Sequence, residues 1–390
     1  MAGPLAGIRV LDLSTVIAGP YAGQMLGDMG AEVIKVEPPQ GDIMRAPGPA
    51  RSPGMGPLFL NANRNKSSLV LDLKQPADRD RLRELSRSAD VVLQNMRPAA
   101  AARLGIAYAD LAPLNPRLVY CAIVGYGQDG PYAARPAYDD IVQAGAGWAA
   151  LEAQVSGTPR YAPTIVADKT AALHAVAAIN AALLHAARSG EGQYVEVPMF
   201  EVMASFLLVE HLSGRTFVPP EGPAGYARLL SRHRRPYPTK DGHVSVLPYT
   251  ATHWRRFFEA AGRADWAADP RLQDDATRAG IIDELYARVA ECLATRTSAE
   301  WMALLPEADI PCSPVNDVDA LLADPHLNAV GMFVPTLHPT EGEIVTVRSP
   351  LHFSRTPCEI AALAPPLDRK QGKTDGPVPE GHLPQADFGP

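Results

Sequence analysis

Cysteine is scarce in this chain, and so are the short motifs that mark several enzyme classes. Its four cysteines among 390 residues, Cys121, Cys292, Cys312 and Cys358, stand far apart and form no CxxC. A disulfide framework and a thiolate metal site are both disfavoured. There is no GxSxG, HExxH or P-loop, which argues against a nucleophile-elbow hydrolase, a zincin and a P-loop NTPase. The ten histidines form no tight cluster. No metal is expected, and His326 and His338 read as loop residues. A basic surplus is missing too: 43 acidic against 36 basic residues give a net charge of -7. That points away from nucleic acid and from an anionic membrane surface. No apolar run reaches about 20 residues free of charge, so no membrane span is expected. Met1-Ala2-Gly3-Pro4 opens no basic-then-apolar segment, and a cytoplasmic location is the expectation.

What the chain does have is length and a regular alternation of elements. Its size suits about two to three domains, and 46% hydrophobic with 20% charged residues is ordinary for a globular protein. Ile8-Arg9-Val10-Leu11-Asp12-Leu13 reads as a buried strand. A helix follows, with Pro20 near its start, running to Asp28 and ended by Gly30. Ala31 to Glu37 is the next strand. This is a βαβ unit, so a parallel sheet is expected. Its first turn lacks GxGxxG, and the dinucleotide reading fails there. Ser68 to Leu73, Val91 to Gln94, Leu118 to Ile123 and Gln193 to Val197 read as further strands. Pro76 to Ser88, Val142 to Ala150, Lys169 to Arg188 and Glu201 to Glu210 read as helices. The pattern predicts a doubly wound α/β domain.

From residue 213 to 237 the composition turns to Gly, Pro and Arg, and a domain boundary is expected there. Beyond it Val244 to Leu247 reads as a strand, with helices at 254–260, 281–294 and 298–305. The last of these shows half a capping box: Ser298 as cap, but Trp301 three residues on is not acidic. Phe333 to Pro335 and Glu343 to Val347 suggest a β element turning at Glu341-Gly342. The last thirty residues, rich in Pro and Gly, read as a draped or partly disordered tail.

The residue that draws most attention is Asp168, between an apolar run and an Ala-rich helical pattern. It fits a helix N-cap. It fits equally a carboxylate held ionised by free N–H groups and the helix dipole, and therefore a nucleophile toward an activated acyl group. Residue types alone leave both open. Gly125, Gly127, Gly130, Gly145 and Gly147 would allow backbone to pass close to a ligand. Tyr138-Asp139-Asp140 lies among them, either as a buried pair or as a site wall. Arg45, Arg64, Lys66, Lys74, Arg97 and Arg103 punctuate the predicted strand ends, where an α/β sheet binds its ligands. They are either solvated surface or a set suited to a nucleotide phosphate.

Specific blocks of sequence then resemble one family. Residues 6–14 with Ala18-Gly19-Pro20, residues 30–37, Gly41-Asp42 with Arg45, and Asn63-Arg64-Asn65-Lys66 resemble the class III (CaiB/BaiF-type) CoA-transferases, the group of formyl-CoA transferase and the carnitine CoA-transferases. Asn95 with Arg97-Pro98, residues 115–120, Gly125-Tyr126-Gly127 and Ile310-Pro311-Cys312 continue the likeness over nearly the whole chain. The resemblance implies a Rossmann-like large domain from residues 1–212, a smaller α/β domain from 213–329, and a return to the large domain with an extended tail over 330–390. It also implies an interlocked homodimer and no tightly bound cofactor, with coenzyme A entering as part of an acyl-CoA substrate.

In that family the nucleophile matches Asp168. The implied reaction is covalent: Asp168 attacks the donor thioester to give an acyl–aspartyl anhydride and CoA thiolate. The thiolate then forms an aspartyl-CoA thioester and releases the donor acid. The acceptor carboxylate attacks next, and CoA returns to make the new acyl-CoA. Backbone N–H groups near Gly145 or in the opening loop would stabilise the oxyanion. The resemblance places CoA contacts at Ile17 and Ala18, at Leu71, Asp72 and Lys74, at Asn95, Met96 and Arg97, at Arg103, and at Ala137, Tyr138 and Asp139. Ile17 replaces a glutamine of formyl-CoA transferase, Pro38 replaces an arginine, and that enzyme's Gly-rich shielding loop has no match between Gly225 and Tyr237. A dicarboxylyl group such as succinyl therefore fits better than formyl or oxalyl, with Arg232, Arg234 or Arg235 as carboxylate anchors. The alternative is an α-methylacyl-CoA racemase of the same fold, which pairs the aspartate with a histidine. Tyr138 stands at that position, and a tyrosine, ordinarily of pKa about 10, is a poor general base near neutral pH.

Overall fold

The computed structural model describes residues 3–368. The described residues fall into two compact units. One holds the chain up to residue 146, residues 162–206 and the chain from 325 onward; the other holds 147–161 and 207–324.

The first unit is built on six parallel strands: β1 (Arg9–Asp12), β2 (Glu32–Glu37), β3 (Lys66–Val70), β4 (Val91–Gln94), β5 (Val119–Val124) and β6 (Tyr194–Pro198). Their spatial order is β3-β2-β1-β4-β5-β6. The chain winds outward from β1 to β3, then crosses back to place β4 on the other side of β1. That reversal makes a switch point between β1 and β4, and clefts form outside the carboxyl ends of the strands at such points. β4 and β5 read Val-Val-Leu-Gln and Val-Tyr-Cys-Ala-Ile-Val and are buried along their whole length, as strands covered on both faces must be.

The first nine helices, of which α7 and the end of α9 fall in the second unit, are α1 (Ala18–Asp28), α2 (Pro57–Ala62), α3 (Pro76–Ser86), α4 (Pro98–Leu104), α5 (Tyr108–Leu111), α6 (Asp139–Gly145), α7 (Trp148–Ser156), α8 (Val166–Ser189) and α9 (Met199–His211). Five differ from the sequence expectation in an instructive way. α2 and α4 each begin on a proline at the first helical position, as α3 does, but at 6 and 7 residues they are too short to show a helical repeat in the sequence. The helix expected over 142–150 is two helices, α6 and α7, interrupted at residues 146–147. α8 starts three residues earlier than expected, so Asp168 lies inside its first turn. β3 also begins earlier than expected, because Lys66 can enter it as a fully paired buried cation.

In the second unit β7 (Tyr237–Pro238), β8 (His243–Val246) and β9 (Cys312–Pro314) make an antiparallel sheet. Helices α10 (Ala251–Ala260), α11 (Ala264–Ala267), α12 (Asp275–Gly280), α13 (Ile282–Leu293) and α14 (Ser298–Glu307) accompany it. The core is aromatic: Trp254, Phe257, Phe258, Tyr286 and Trp301 pack together, all buried. Thr297, not Ser298, caps α14, and Glu300 completes a full capping box with it.

Two short helices, α15 (Val318–Leu322) and α16 (Pro325–Ala329), precede the hairpin of β10 (Phe333–His338) and β11 (Gly342–Val347). His338 is not a loop residue: it ends β10, is buried, and its Nε2 lies 2.8 Å from the Ala364 carbonyl. His326 lies in α16. The following segment is tied to the first unit. Asn65 Oδ1 accepts from the Ala361 and Ala362 N–H groups, and Arg45 donates to the Pro365 carbonyl. Of the last thirty residues, expected to be a draped or partly disordered tail, 361–368 hold these bonds, and the rest lies outside the described residues. α8 is long and apolar enough, by length and composition, to cross a membrane; it packs against α1, β5, α6 and β6.

Candidate functional site at the sheet switch point

Behind the carboxyl edge of the sheet lies a set of buried ion pairs. Lys66 Nζ donates to Asp12 Oδ2 at 2.8 Å, to the Pro20 carbonyl at 2.7 Å and to Asn63 Oδ1 at 2.8 Å. Lys35 pairs with Asp42 at 3.0 Å, Arg45 with Glu37 at 2.7 Å, and Arg64 with Asp28 at 2.5 Å. Burial alone would raise the Asp12 carboxyl, but the Lys66 and Lys35 charges overcome it and hold it below the ordinary carboxylate range. Arg45, Arg64 and Lys66 are therefore neither surface cations nor phosphate ligands. The Asn-Arg-Asn-Lys block is a buried brace. The glycines of α1 exist for it: a Cβ on Gly23 would sit 2.8 Å from Asp12 Oδ2, and one on Gly19 would overlap the Ser14 side chain.

In front of this brace runs the loop from β1 to α1. Val16 there has φ +70°, a left-handed conformation that is a true outlier for a β-branched residue. Asn95, just past β4, holds Thr15 from both sides: its Oδ1 accepts the Thr15 N–H at 2.9 Å and its Nδ2 donates to the Thr15 carbonyl at 2.8 Å. Ala18, the first residue of α1, presents its backbone N–H to the Asp168 carboxylate.

Asp168 itself is 7% exposed. It is not a cap. Ile165 occupies the cap position and makes no side-chain bond. Asp139, the first residue of α6, does the capping from outside: its Oδ1 accepts the N–H groups of Ala167 at 2.7 Å and of Asp168 at 3.0 Å. Its Oδ2 accepts from Gln143 Nε2 at 2.5 Å. The N–H groups expected to keep Asp168 ionised are thus engaged elsewhere. Burial pushes the Asp168 carboxyl up to about 6, the Asp139 charge adds to the rise, and the Ala18 N–H opposes it. The result is a buried carboxylate with no ion pair among the described residues, next to a second carboxylate.

A cleft of about 270 Å³ opens on Asp168 at the ends of β1, β4 and β5. Of the expected CoA contacts, Ala18, Asn95, Met96, Arg97, Ala137 and Tyr138 line it. Ile17 does not: it is buried at the cap of α1. Asp139 does not line it either, and serves α8 instead. Leu71 is buried in the core, while Asp72 turns back to accept from the Lys74 N–H and Gln75 Nε2. Leu71, Asp72 and the exposed Lys74 follow β3, two strands from β1, roughly 10 Å along the same edge. Arg103 is exposed in the last turn of α4. Gly145 is not among the lining residues, so of the two expected oxyanion sources only the opening loop reaches Asp168. Arg232, Arg234 and Arg235 belong to the second unit, whereas the whole lining belongs to the first. Its cations are Arg97 and Arg135.

Val16, Gln128 and Arg135 line the cleft without having been singled out in the sequence. Gly125 to Gly130 does have GxGxxG spacing after β5, but the next helix starts only at Asp139, so it is no phosphate fingerprint. Arg135 stacks on the Tyr132 ring at 3.8 Å. A larger cleft of about 750 Å³ lies between residues 49–61 and the β10–β11 hairpin. Its arginine, Arg51, is spent on the Glu341 and Glu343 carbonyls. No nucleophile comparable to Asp168 lines it. No group of three metal-ligating side chains occurs among the described residues.

Residues 5–371 match the model of CoA-transferase family III. The chain belongs to that family. It is a CoA-transferase, and its substrates are acyl-CoA and carboxylate molecules. It is 36% identical over 387 residues to the succinate–glutarate CoA-transferase of Agrobacterium fabrum, covering 95% of this chain and 94% of that one. With the succinyl-CoA:mesaconate CoA-transferase of Haloarcula hispanica it shares 34% over 386 residues, 95% of each chain. Among solved structures it resembles Rv3272 of Mycobacterium tuberculosis with a TM-score of 0.82 and 29% identity, covering 94% of this chain and 97% of that one. A CaiB/BaiF family protein of Brucella suis gives a TM-score of 0.80 at the same identity, over 94% and 97% of the two chains.

Proposed function

We propose that this CoA-transferase moves CoA from a dicarboxylyl-CoA, such as succinyl-CoA, to a free carboxylic acid, with Asp168 carrying the acyl group. One observation supports it most: Asp168 is the buried carboxylate of the switch-point cleft that no cation neutralises among the described residues. An Asp168 oxygen attacks the thioester carbonyl carbon, the C–S bond breaks, and CoA leaves as thiolate. The product is a mixed anhydride. The thiolate attacks the aspartyl carbonyl carbon, giving an aspartyl thioester and the free donor acid. The acceptor carboxylate then displaces CoA from that thioester, and the thiolate takes the acceptor acyl group from the second anhydride. Asp168 returns as carboxylate, and no proton is consumed. An anhydride keeps the acyl group activated at each stage, which an ester would not. The Ala18 N–H is the donor placed to steady the charge.

The dicarboxylate preference draws support from the two relatives named for succinate–glutarate and succinyl-CoA:mesaconate exchange. Ala18, Leu71, Asp72, Lys74, Asn95, Met96, Arg97, Arg103, Ala137 and Tyr138 are proposed to hold CoA along the carboxyl edge of the sheet. The division at 1–212, 213–329 and 330–390, the interlocked homodimer and a cytoplasmic setting belong to the same proposal. Leu173 and Leu184 of α8 and Val209 of α9 are exposed apolar side chains that a second copy would cover. The test is a panel of acyl-CoA donors offered with free dicarboxylic acids. Succinyl-CoA should give transfer, and a 2-methylacyl-CoA in heavy water should gain no deuterium at its α-carbon. Deuterium entry without transfer would replace this reading by racemisation.

A further inference from the structure

Three consecutive residues of the opening loop are gripped by four side chains, those of Asp12, Lys35, Asn95 and Asp42. The Ser14 N–H donates to Asp12 Oδ1 at 3.0 Å, and the Ser14 carbonyl accepts from Lys35 Nζ at 2.9 Å. Thr15 is held by Asn95. The Val16 N–H donates to Asp42 Oδ1 at 3.3 Å. Asp42 is itself fixed: its Oδ2 pairs with Lys35 Nζ at 3.0 Å, and its own N–H donates to Glu37 Oε1 at 2.9 Å. The side chains of Lys35 and Asp42 are 0% exposed, and neither residue lines the cleft. A buried pair of this kind is weak evidence for stability, because apolar residues of the same volume often serve as well. What apolar residues would not supply is the acceptor for Val16. A valine at φ +70° is a strained state that persists only where the surroundings over-determine it, and such states gather at working sites.

We infer that Asp42, itself oriented by Lys35, is a positioning residue for the reaction: its side-chain oxygen holds Val16 in its left-handed conformation and so fixes the Ala18 N–H, two residues on, against Asp168. This rests on Asp168 acting as the nucleophile. Released from Asp42, Val16 relaxes toward negative φ, the entry to α1 turns, and the Ala18 N–H leaves the carboxylate. Asp168 then loses the contact that opposes burial and the Asp139 charge. The other charged or titratable groups near Asp168 stay in place: Asp139 on α6, Arg97, Arg135 and Tyr138 around the cleft, and Lys169 on α8, which donates to Thr164 Oγ1.

The test compares three variants by kcat, KM for the acyl-CoA, pH profile and melting temperature. Lys35→Met with Asp42→Leu removes both charges and the acceptor. It should fold, keep KM, lose kcat by about tenfold or more, and show its acid limb at higher pH. Lys35→Met with Asp42→Asn keeps an oxygen for the Val16 N–H and should retain kcat within about threefold, since an amide oxygen still accepts that bond. Val16→Pro fixes φ at about −65° and has no N–H for Asp42, so it removes the left-handed conformation while leaving the pair in place, and it should lose kcat. It decides the question if the leucine variant does not fold. Native kcat with an unmoved acid limb in the leucine or proline variant overturns the inference, as does an asparagine variant as impaired as the leucine one. Acyl trapping separates the layers. No label at Asp168 in the native enzyme sinks the nucleophile itself, while equal rates of labelling in native and leucine variants sink only the positioning role.

Discussion

Asp12 and Asp168 are the same residue type in nearly the same burial, at 0% and 7% exposure, yet their surroundings give them opposite characters. Asp12 at the end of β1 meets Lys66, Lys35 and Ser14, and these charges and hydrogen bonds hold it ionised despite burial. Asp168 in the first turn of α8 meets another carboxylate and one N–H, and its carboxyl rises to about 6. Burial is the first influence on both. The partner set separates the structural ion from the proposed nucleophile.

The largest effect should come from breaking the second member. Asp168→Asn should lower transfer by roughly three orders of magnitude or more, because the proposed covalent step loses its nucleophile. The same change should raise the melting temperature at pH 7. The folded carboxyl titrates near 6 against 3.8 for its ordinary value. Between those values the folded state binds more protons than the unfolded one, so stability falls as pH rises. The variant escapes that loss. Its advantage should be absent near pH 4, fullest above about pH 6, and at most about 3 kcal/mol at 1.36 kcal/mol per unit. Scanning calorimetry at the two pH values checks it.

Breaking the first member should act on folding instead. Lys66→Met alone strands the Asp12 charge and should cost about 3–5 kcal/mol, whereas Lys66→Met with Asp12→Leu should be far milder. Urea unfolding of both variants tests this. Equal losses would mean that packing around Gly23, not charge, governs the brace.

Much of this contrast was legible in the sequence, and some could not have been. The parallel strands were readable from their apolar runs, and β4 falls on the four residues expected. Asp168 was visible as a carboxylate opening a helix. That it sits inside the first turn, with Asp139 capping α8 from 28 residues or more away in the chain, was not. A hydrogen bond between separate elements leaves no local periodic trace. The same holds for Arg45, Arg64 and Lys66, whose partners Glu37, Asp28 and Asp12 lie on neighbouring elements. A cation in a sequence looks alike whether it faces water or a buried carboxylate. Arg135 gave no signal at all, because only the fold brings it to the cleft.

Smaller changes would sharpen the comparison by titration. The acid limb of kcat/KM should lie near pH 6, well above an ordinary aspartate. Asp139→Asn keeps an oxygen for the Ala167 and Asp168 N–H groups but removes the neighbouring charge. Its limb should move down by only part of the full rise, since burial is the larger cause. An unmoved limb would mean that the two carboxylates do not interact.

The most direct measurement is acyl trapping. Native enzyme mixed with succinyl-CoA and quenched with hydroxylamine should carry its label on the peptide containing Asp168, and Asp168→Asn should carry none. A label on another residue, or transfer at native rate without any label, would contradict the account.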